Sequence, residues 1–160
     1  MKITFAGAAD TVTGSRHFVE TGDQRILLDC GLFQGFKALR LRNWAPFPVS
    51  PREVDAVVLS HAHLDHSGYL PVLVRDGFRG QILSTKPTRD LAEIMLLDSA
   101  HLLEEEARYA NLHDYSKHKP ARPLYTVADV RRCMKQFAPD RKSTRLNSSH
   151  LDLSRMPSSA

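Results

Sequence analysis

The stretch Val54-Asp55-Ala56-Val57-Val58-Leu59-Ser60-His61-Ala62-His63-Leu64-Asp65-His66 governs the reading of this chain. Its first half is rich in β-branched and apolar residues, so Val54 to Ser60 is predicted to be a buried strand. Its second half places three histidines and one aspartate within six residues, and His61 to Gly68 is expected to be a loop beyond the strand end. In such a loop, side chains two residues apart can reach one ion, while Asp65 and His66 can turn toward a neighbouring position. Neutral imidazole and carboxylate suit Zn²⁺ and also Mn²⁺ or Fe. A bound ion lowers the pKa of its water to about 7, the carbonic anhydrase value, which gives hydroxide at neutral pH. A lone histidine at a strand end is ordinarily structural; four donors packed this closely argue for metal binding.

Working outward, Lys2 to Ala6 is expected to be a first strand and Gly7 to Ser15 a loop of small residues. Arg16 to Glu20 and Arg25 to Asp29 flank Thr21-Gly22-Asp23-Gln24 and read as a hairpin. Pro46, Pro48 and Pro51 keep residues 36–52 irregular. After the histidine cluster come a short helix, Tyr69 to Arg75, and a strand, Gln81 to Ser84. A long helix is predicted from Arg89 to Tyr109, with Thr88 as N-cap and Pro87 preventing an earlier start. Leu91, Ile94, Met95, Asp98, His101 and Leu102 are expected on or near one face of it. Asn111 to Pro123 is a loop, and Thr126 caps a helix over Val127 to Phe137 with Asp129 at its third position. Strands first, then strands alternating with helices, give a layered α/β domain rather than a bundle.

The 160 residues suffice for a single domain with a real core, and 42% hydrophobic with 25% charged residues is ordinary for a globular chain. The net charge of +4 is uneven: residues 141–160 hold four of the 22 basic and one of the 18 acidic residues, leaving +1 on residues 1–140. The charge therefore does not indicate a nucleic-acid groove. Cys30 and Cys133 form no disulfide framework, which suits a reducing, cytoplasmic setting. No apolar run suggests a secretory leader or a membrane span. Residues 141–160 include six serines and few apolar residues, and resemble translated sequencing-adapter DNA. The expected organisation is a partial domain over 1–140 followed by a non-native or disordered tail over 141–160.

The 61–66 segment resembles the H-x-H-x-D-H motif of the metallo-β-lactamase superfamily. Leu27-Leu28-Asp29-Cys30-Gly31-Leu32-Phe33-Gln34-Gly35 is similar to the first motif of one branch, the β-CASP ribonucleases. Gly7 to Ser15, Thr85 to Leu91 and Leu97-Asp98-Ser99-Ala100 resemble the same branch. The resemblance implies the N-terminal part of an αββα sandwich, incomplete because the downstream ligands and the RNA-closing domain of the family have no counterpart here. It implies that His61 and His63 bind a first ion, and that Asp65 and His66 bind a second. Asp65 would also be the general base or water-orienting group. Asp29 would support the ligand loop through hydrogen bonds rather than bind metal. Two Zn²⁺ ions, with Mn²⁺ as an alternative, and RNA as the partner of the longer protein follow from the resemblance. No membrane partner is expected, and a homodimer is compatible with it.

Several other residues attract weaker readings. His150 could be a further ligand but lies in the suspect tail without glycine-rich surroundings. Gly7 to Gly14 lacks the phosphate-loop pattern, so its small residues are expected to let it pass close to the ion site. His17 is expected to be an ordinary strand residue, Cys30 a small core residue, and Asp98 with His101 a helix-surface pair. The leading reading is a metal-dependent hydrolase cleaving RNA phosphodiesters with metal-activated water, the isolated chain being weakly active or inactive. The alternatives are a superfamily hydrolase of another ester, thioester or lactam, and a non-catalytic fragment.

Overall fold

Six short segments pair into one sheet with two unlike faces. The computed structural model describes residues 1–116 and 118–139. The 141–160 segment and His150 lie outside the described residues. Strands β1 (Lys2–Gly7), β2 (Arg16–Thr21) and β3 (Gln24–Leu28) pair antiparallel, and β4 (Ala56–Val58), β5 (Gln81–Ser84) and β6 (Phe137–Pro139) continue in parallel, so the sheet runs in sequence order. The hairpin turns at Gly22, whose φ of 55° is available to glycine without steric cost.

Register aligns Phe18, Leu27, Val57, Ile82 and Phe137 across the strands, all of them buried. Residues of α3 (Leu70–Arg75), α4 (Lys86–Leu112) and α5 (Val127–Met134) complete that layer: Leu70, Leu73, Ala92, Leu96, Ala100, Val130 and Cys133 share one buried cluster with the strand residues. The other sheet face carries Phe5, His17, Leu28 and Val58 in register, with Phe5 66% exposed and Leu28 and Val58 each 38% exposed. The core is therefore one-sided, a sheet with helices over one face. It is the mixed α/β layer that the sequence pattern predicts, and it forms part of the domain rather than the whole of a sandwich.

Several elements differ from expectation. The expected buried strand is only Ala56–Val58, with Val57 alone buried, because a 3₁₀ turn over Pro51–Glu53 leads into it, Leu59 already leaves toward the loop, and one sheet face is open. The expected loop after it contains a helical turn, α2 (Leu64–Ser67), whose first-turn and last-turn residues are Asp65 and His66. Residues 36–52 contain α1 (Lys37–Leu41) and a 3₁₀ turn over Arg42–Trp44. Helix α4 starts at Lys86 with Thr85 as N-cap, and Pro87 sits inside its first turn, where no N–H is needed. Its core face is Ala92, Leu96, Ala100, Ala107 and Ala110, while Leu91, Ile94 and Leu102 are exposed. Small alanines let the helix lie close to its neighbours, which a search for large apolar residues does not detect. Helix α5 stops at Met134, and the chain straightens into β6 beside β5, so that the expected last helical turn is a strand.

Candidate metal centre

The parallel strands β3 and β4 end side by side, and both chains turn outward there. Asp29, the first residue past β3, takes a φ of 58°, a left-handed conformation that aspartate tolerates better than most residues. That turn aims its carboxylate at the loop leaving β4. Asp29 Oδ1 accepts the Ser60 backbone N–H at 2.8 Å, and Oδ2 accepts the Ser60 hydroxyl at 2.9 Å and His66 Nδ1–H at 2.8 Å. The Ser15 hydroxyl donates to Oδ2 from 3.4 Å. Asp29 thus ties its own turn to the loop leaving β4 by hydrogen bonds.

The loop itself folds on local bonds. His66 and Ser67 donate their N–H groups to the His63 carbonyl at 2.9 and 2.8 Å, and the Ser67 hydroxyl donates to the Ala62 carbonyl at 2.9 Å. This one-turn helix carries His66 back over His61. Their ring centroids are 4.0 Å apart, and those of His61 and His63 are 4.8 Å apart in an edge-on arrangement. His66 Nε2 lies 3.6 Å from Asp65 Oδ2. His63 is exposed, whereas His61, Asp65 and His66 are half-buried. Because a carboxylate accepts, His66 carries a proton on Nδ1, and its Nε2 faces the Asp65 carboxylate.

Backbone bonds clamp the Asp29 turn onto this loop. Cys30 donates to the His66 carbonyl at 2.7 Å, Leu32 to the Leu64 carbonyl at 2.8 Å, and Tyr69 to the Cys30 carbonyl at 2.9 Å. Ser15 donates to the Asp65 carbonyl at 2.9 Å, which places the small-residue loop against the cluster. Gly31 is required here, since a Cβ would lie 1.6 Å from the Asp65 carbonyl oxygen. Gly7 and Gly14 serve close packing as well: a Cβ on Gly7 would strike the Gly14 carbonyl at 1.9 Å, and one on Gly14 the Phe33 ring at 2.4 Å.

Arg16 supports the same turn from beneath. It is 3% exposed, donates Nε–H to the Gly31 carbonyl at 2.9 Å, and lies over Tyr69 at 4.0 Å and Phe33 at 4.9 Å from the ring centroids. Burial lowers its pKa, with Cys30 and Tyr69 acting in the opposite sense. Burial also pushes the Cys30 thiol up to about 12, so Cys30 is a packed core residue beside the site and not a thiolate. Asp98 and His101 are exposed on the outer side of α4.

The five residues singled out in the sequence, His61, His63, Asp65, His66 and Asp29, therefore lie together just beyond the ends of the central strands β3 and β4. The donor chemistry suits a divalent ion. As the side chains stand, no group of three or more His, Cys, Asp or Glu among the described residues is arranged to hold one. His61 packs against both His63 and His66. Sequence reasoning missed Ser15, Arg16, Asn43 and Ser60. Asn43 receives the Phe33 N–H at 2.9 Å and donates to the Phe33 carbonyl at 2.8 Å, fixing the loop after Gly31. No sequence signal marks Arg16 or Asn43; Ser60 could have been noticed from its place directly before His61.

A family model described as the metallo-beta-lactamase superfamily matches residues 12–115. The chain is 51% identical over 105 residues to Ribonuclease TTHA0252 of Thermus thermophilus, covering 66% of this chain and 24% of the relative. It is 32% identical over 139 residues to Transcription termination factor FttA of Methanocaldococcus jannaschii, covering 87% and 20%. It is 37% identical over 119 residues to Probable RNase MJ4 of the same organism, covering 71% and 26%. The chain spans about a quarter of the length of these curated relatives.

Proposed function

The chain belongs to the metallo-beta-lactamase superfamily, and from that premise we propose that it carries the N-terminal half-site of a metal-dependent hydrolase acting on RNA phosphodiester bonds. The observation that carries this reading is the cluster built on one buried carboxylate: His66 donates to Asp29, His61 packs on His66, His63 packs on His61, and Asp65 lies 3.6 Å from His66. Two relatives with ribonuclease names support RNA as the substrate class, as the resemblance to the β-CASP branch implies. His61 and His63 would hold a first Zn²⁺, and His66 with Asp65 a second. A pair of divalent ions supplies Lewis acidity on both sides of a phosphoryl group. Asp65, beside His66 Nε2, would orient the attacking water and take its proton. Asp29 fixes the proton of His66 on Nδ1 and so keeps Nε2 free for ligation.

The half-site as folded has four of its donors on one short turn, so further ligands would come from sequence corresponding to the rest of the relatives' length. The 160-residue chain is expected to take up at most one zinc weakly and to cleave RNA slowly or not at all. The test is zinc per chain and cleavage of single-stranded RNA by the longest reading frame that contains these residues, beside His63→Ala. Loss of at least one zinc and a fall in cleavage of at least about 100-fold are expected for the variant, since loss of a ligand's supporting partner alone costs up to about that much. Cleavage indifferent both to chelator and to His63→Ala would refute the proposal.

A further inference from the structure

Ser60 has one hydroxyl proton, and its two neighbours settle where that proton goes. The hydroxyl donates to Asp29 Oδ2 at 2.9 Å, and the same oxygen lies 2.9 Å from His61 Nδ1. Having spent its proton on the carboxylate, the hydroxyl can only accept from His61. His61 Nδ1 must therefore carry a proton, and in the neutral ring this leaves the lone pair on Nε2. His66 reaches the same state directly, by donating Nδ1–H to the same Oδ2 atom at 2.8 Å. One carboxylate oxygen thus sets the tautomer of two histidines, one by contact and one through a serine.

We infer that Ser60 is a positioning residue: its hydroxyl relays the charge of Asp29 to His61, holds that ring in the Nε2-ligating tautomer, and couples it to His66. The inference rests on the reading of His61 and His66 as ion ligands, but the tautomers are properties of the metal-free chain. Free histidine side chains in water favour the proton on Nε2, so without the relay His61 would present the wrong nitrogen to an ion. The backbone supports the relay independently. Ser60 N–H donates to Asp29 Oδ1 at 2.8 Å, so the serine stays in place whatever its side chain is.

That separation makes a clean experiment. The 160-residue chain is labelled with ¹⁵N-histidine, stripped of metal with chelator, and examined by long-range ¹H–¹⁵N NMR in buffer basic enough to keep the rings neutral. Both His61 and His66 are expected to carry the proton on Nδ1. Ser60→Ala should move the proton of His61 to Nε2 and leave His66 unchanged, Ser60→Thr should restore His61, and Asp29→Asn should disturb both. Zinc titration of the same samples should show affinity about 10-fold weaker for Ser60→Ala, the lower end for loss of a ligand's hydrogen-bond partner, and restored by Ser60→Thr. A wild-type His61 with its proton on Nε2, or a His61 tautomer indifferent to Ser60→Ala, would overturn the relay. If the tautomers behave as stated but the wild-type chain and its longest reading frame take up no zinc, the metal reading fails and the relay stands as a structural device.

Discussion

At the scale of single residues, the site is built on close approach. Gly31 and Asp65 belong to segments far apart in sequence, yet the Gly31 Cα sits where any side chain would meet the Asp65 carbonyl. Gly31→Ala should force the Asp29 turn off the histidine loop and cost about 3 kcal/mol, the upper range for overpacking. A urea titration of the 160-residue chain, followed by circular dichroism, measures this; a loss below about 1 kcal/mol, the lower limit for overpacking, would mean that the two segments are not clamped. Arg16 belongs to the same construction. Its partners are the Gly31 carbonyl, the Asn43 side-chain oxygen and ring faces, so lysine cannot replace it: the Nε bond to Gly31 and the guanidinium contact over Tyr69 would both be lost. The four donors of the histidine loop could be recognised in the sequence because their residue types and spacing carry the chemistry, whereas Asp29 was legible only through the family resemblance of residues 27–35. Arg16 and Asn43 could not be recognised, because their partners lie many residues away.

At the scale of elements, the helix ends follow sequence rules closely. Thr126 accepts the Asp129 N–H at 3.2 Å, and the Asp129 carboxylate accepts the Thr126 N–H at 2.9 Å, completing the capping box that the sequence predicts. Thr126→Ala should destabilise α5 and the chain by about 1 kcal/mol, read from the shift of a thermal melt. Burial raises the Asp129 pKa, but the bonds from Thr126 and the pairing with Arg132 outweigh it, so the net shift is downward. A carboxyl with a depressed folded pKa contributes stability above its unfolded pKa and loses it as pH falls through the folded one. Melts of wild type and Thr126→Ala should therefore converge on acidification through the carboxylate range; a constant gap would detach the cap from the charge of Asp129. The boundaries of α4 and β6 differ from those the sequence predicts for physical reasons. Pro87 is tolerated in a first turn, and a short parallel strand gains its stability from β5 rather than from its own three residues.

At the scale of the molecule, one sheet face is buried under helices and the other is open. Phe5, Ile3, Leu28 and Val58 leave an apolar surface there, with Phe5 66% and Ile3 50% exposed. This is the face that an αββα sandwich would cover with a second sheet. The isolated chain should self-associate as concentration rises, and Phe5→Asp should reduce that association without changing zinc uptake. Sedimentation velocity checks it: a chain that stays monomeric across the accessible concentration range, with a cooperative melt, would show that this face needs no cover. No helix among the described residues is long and apolar enough to cross a membrane.

The linear pattern alone determined the strand that leads to the histidine cluster, the identities of the candidate ligands, the hairpin and the capped helix. These depend on neighbours close in the chain, through side-chain spacing, turn residues and caps. Tertiary structure decided what the cluster rests on. Asp29 reaches His66 and Ser60 because parallel pairing brings the ends of β3 and β4 together, and Ser60 acquires a role only when that carboxylate stands beside it. Hydrogen bonds across 31 and 37 residues of chain leave no periodic trace in a sequence, since the fold alone sets which distant groups share a proton.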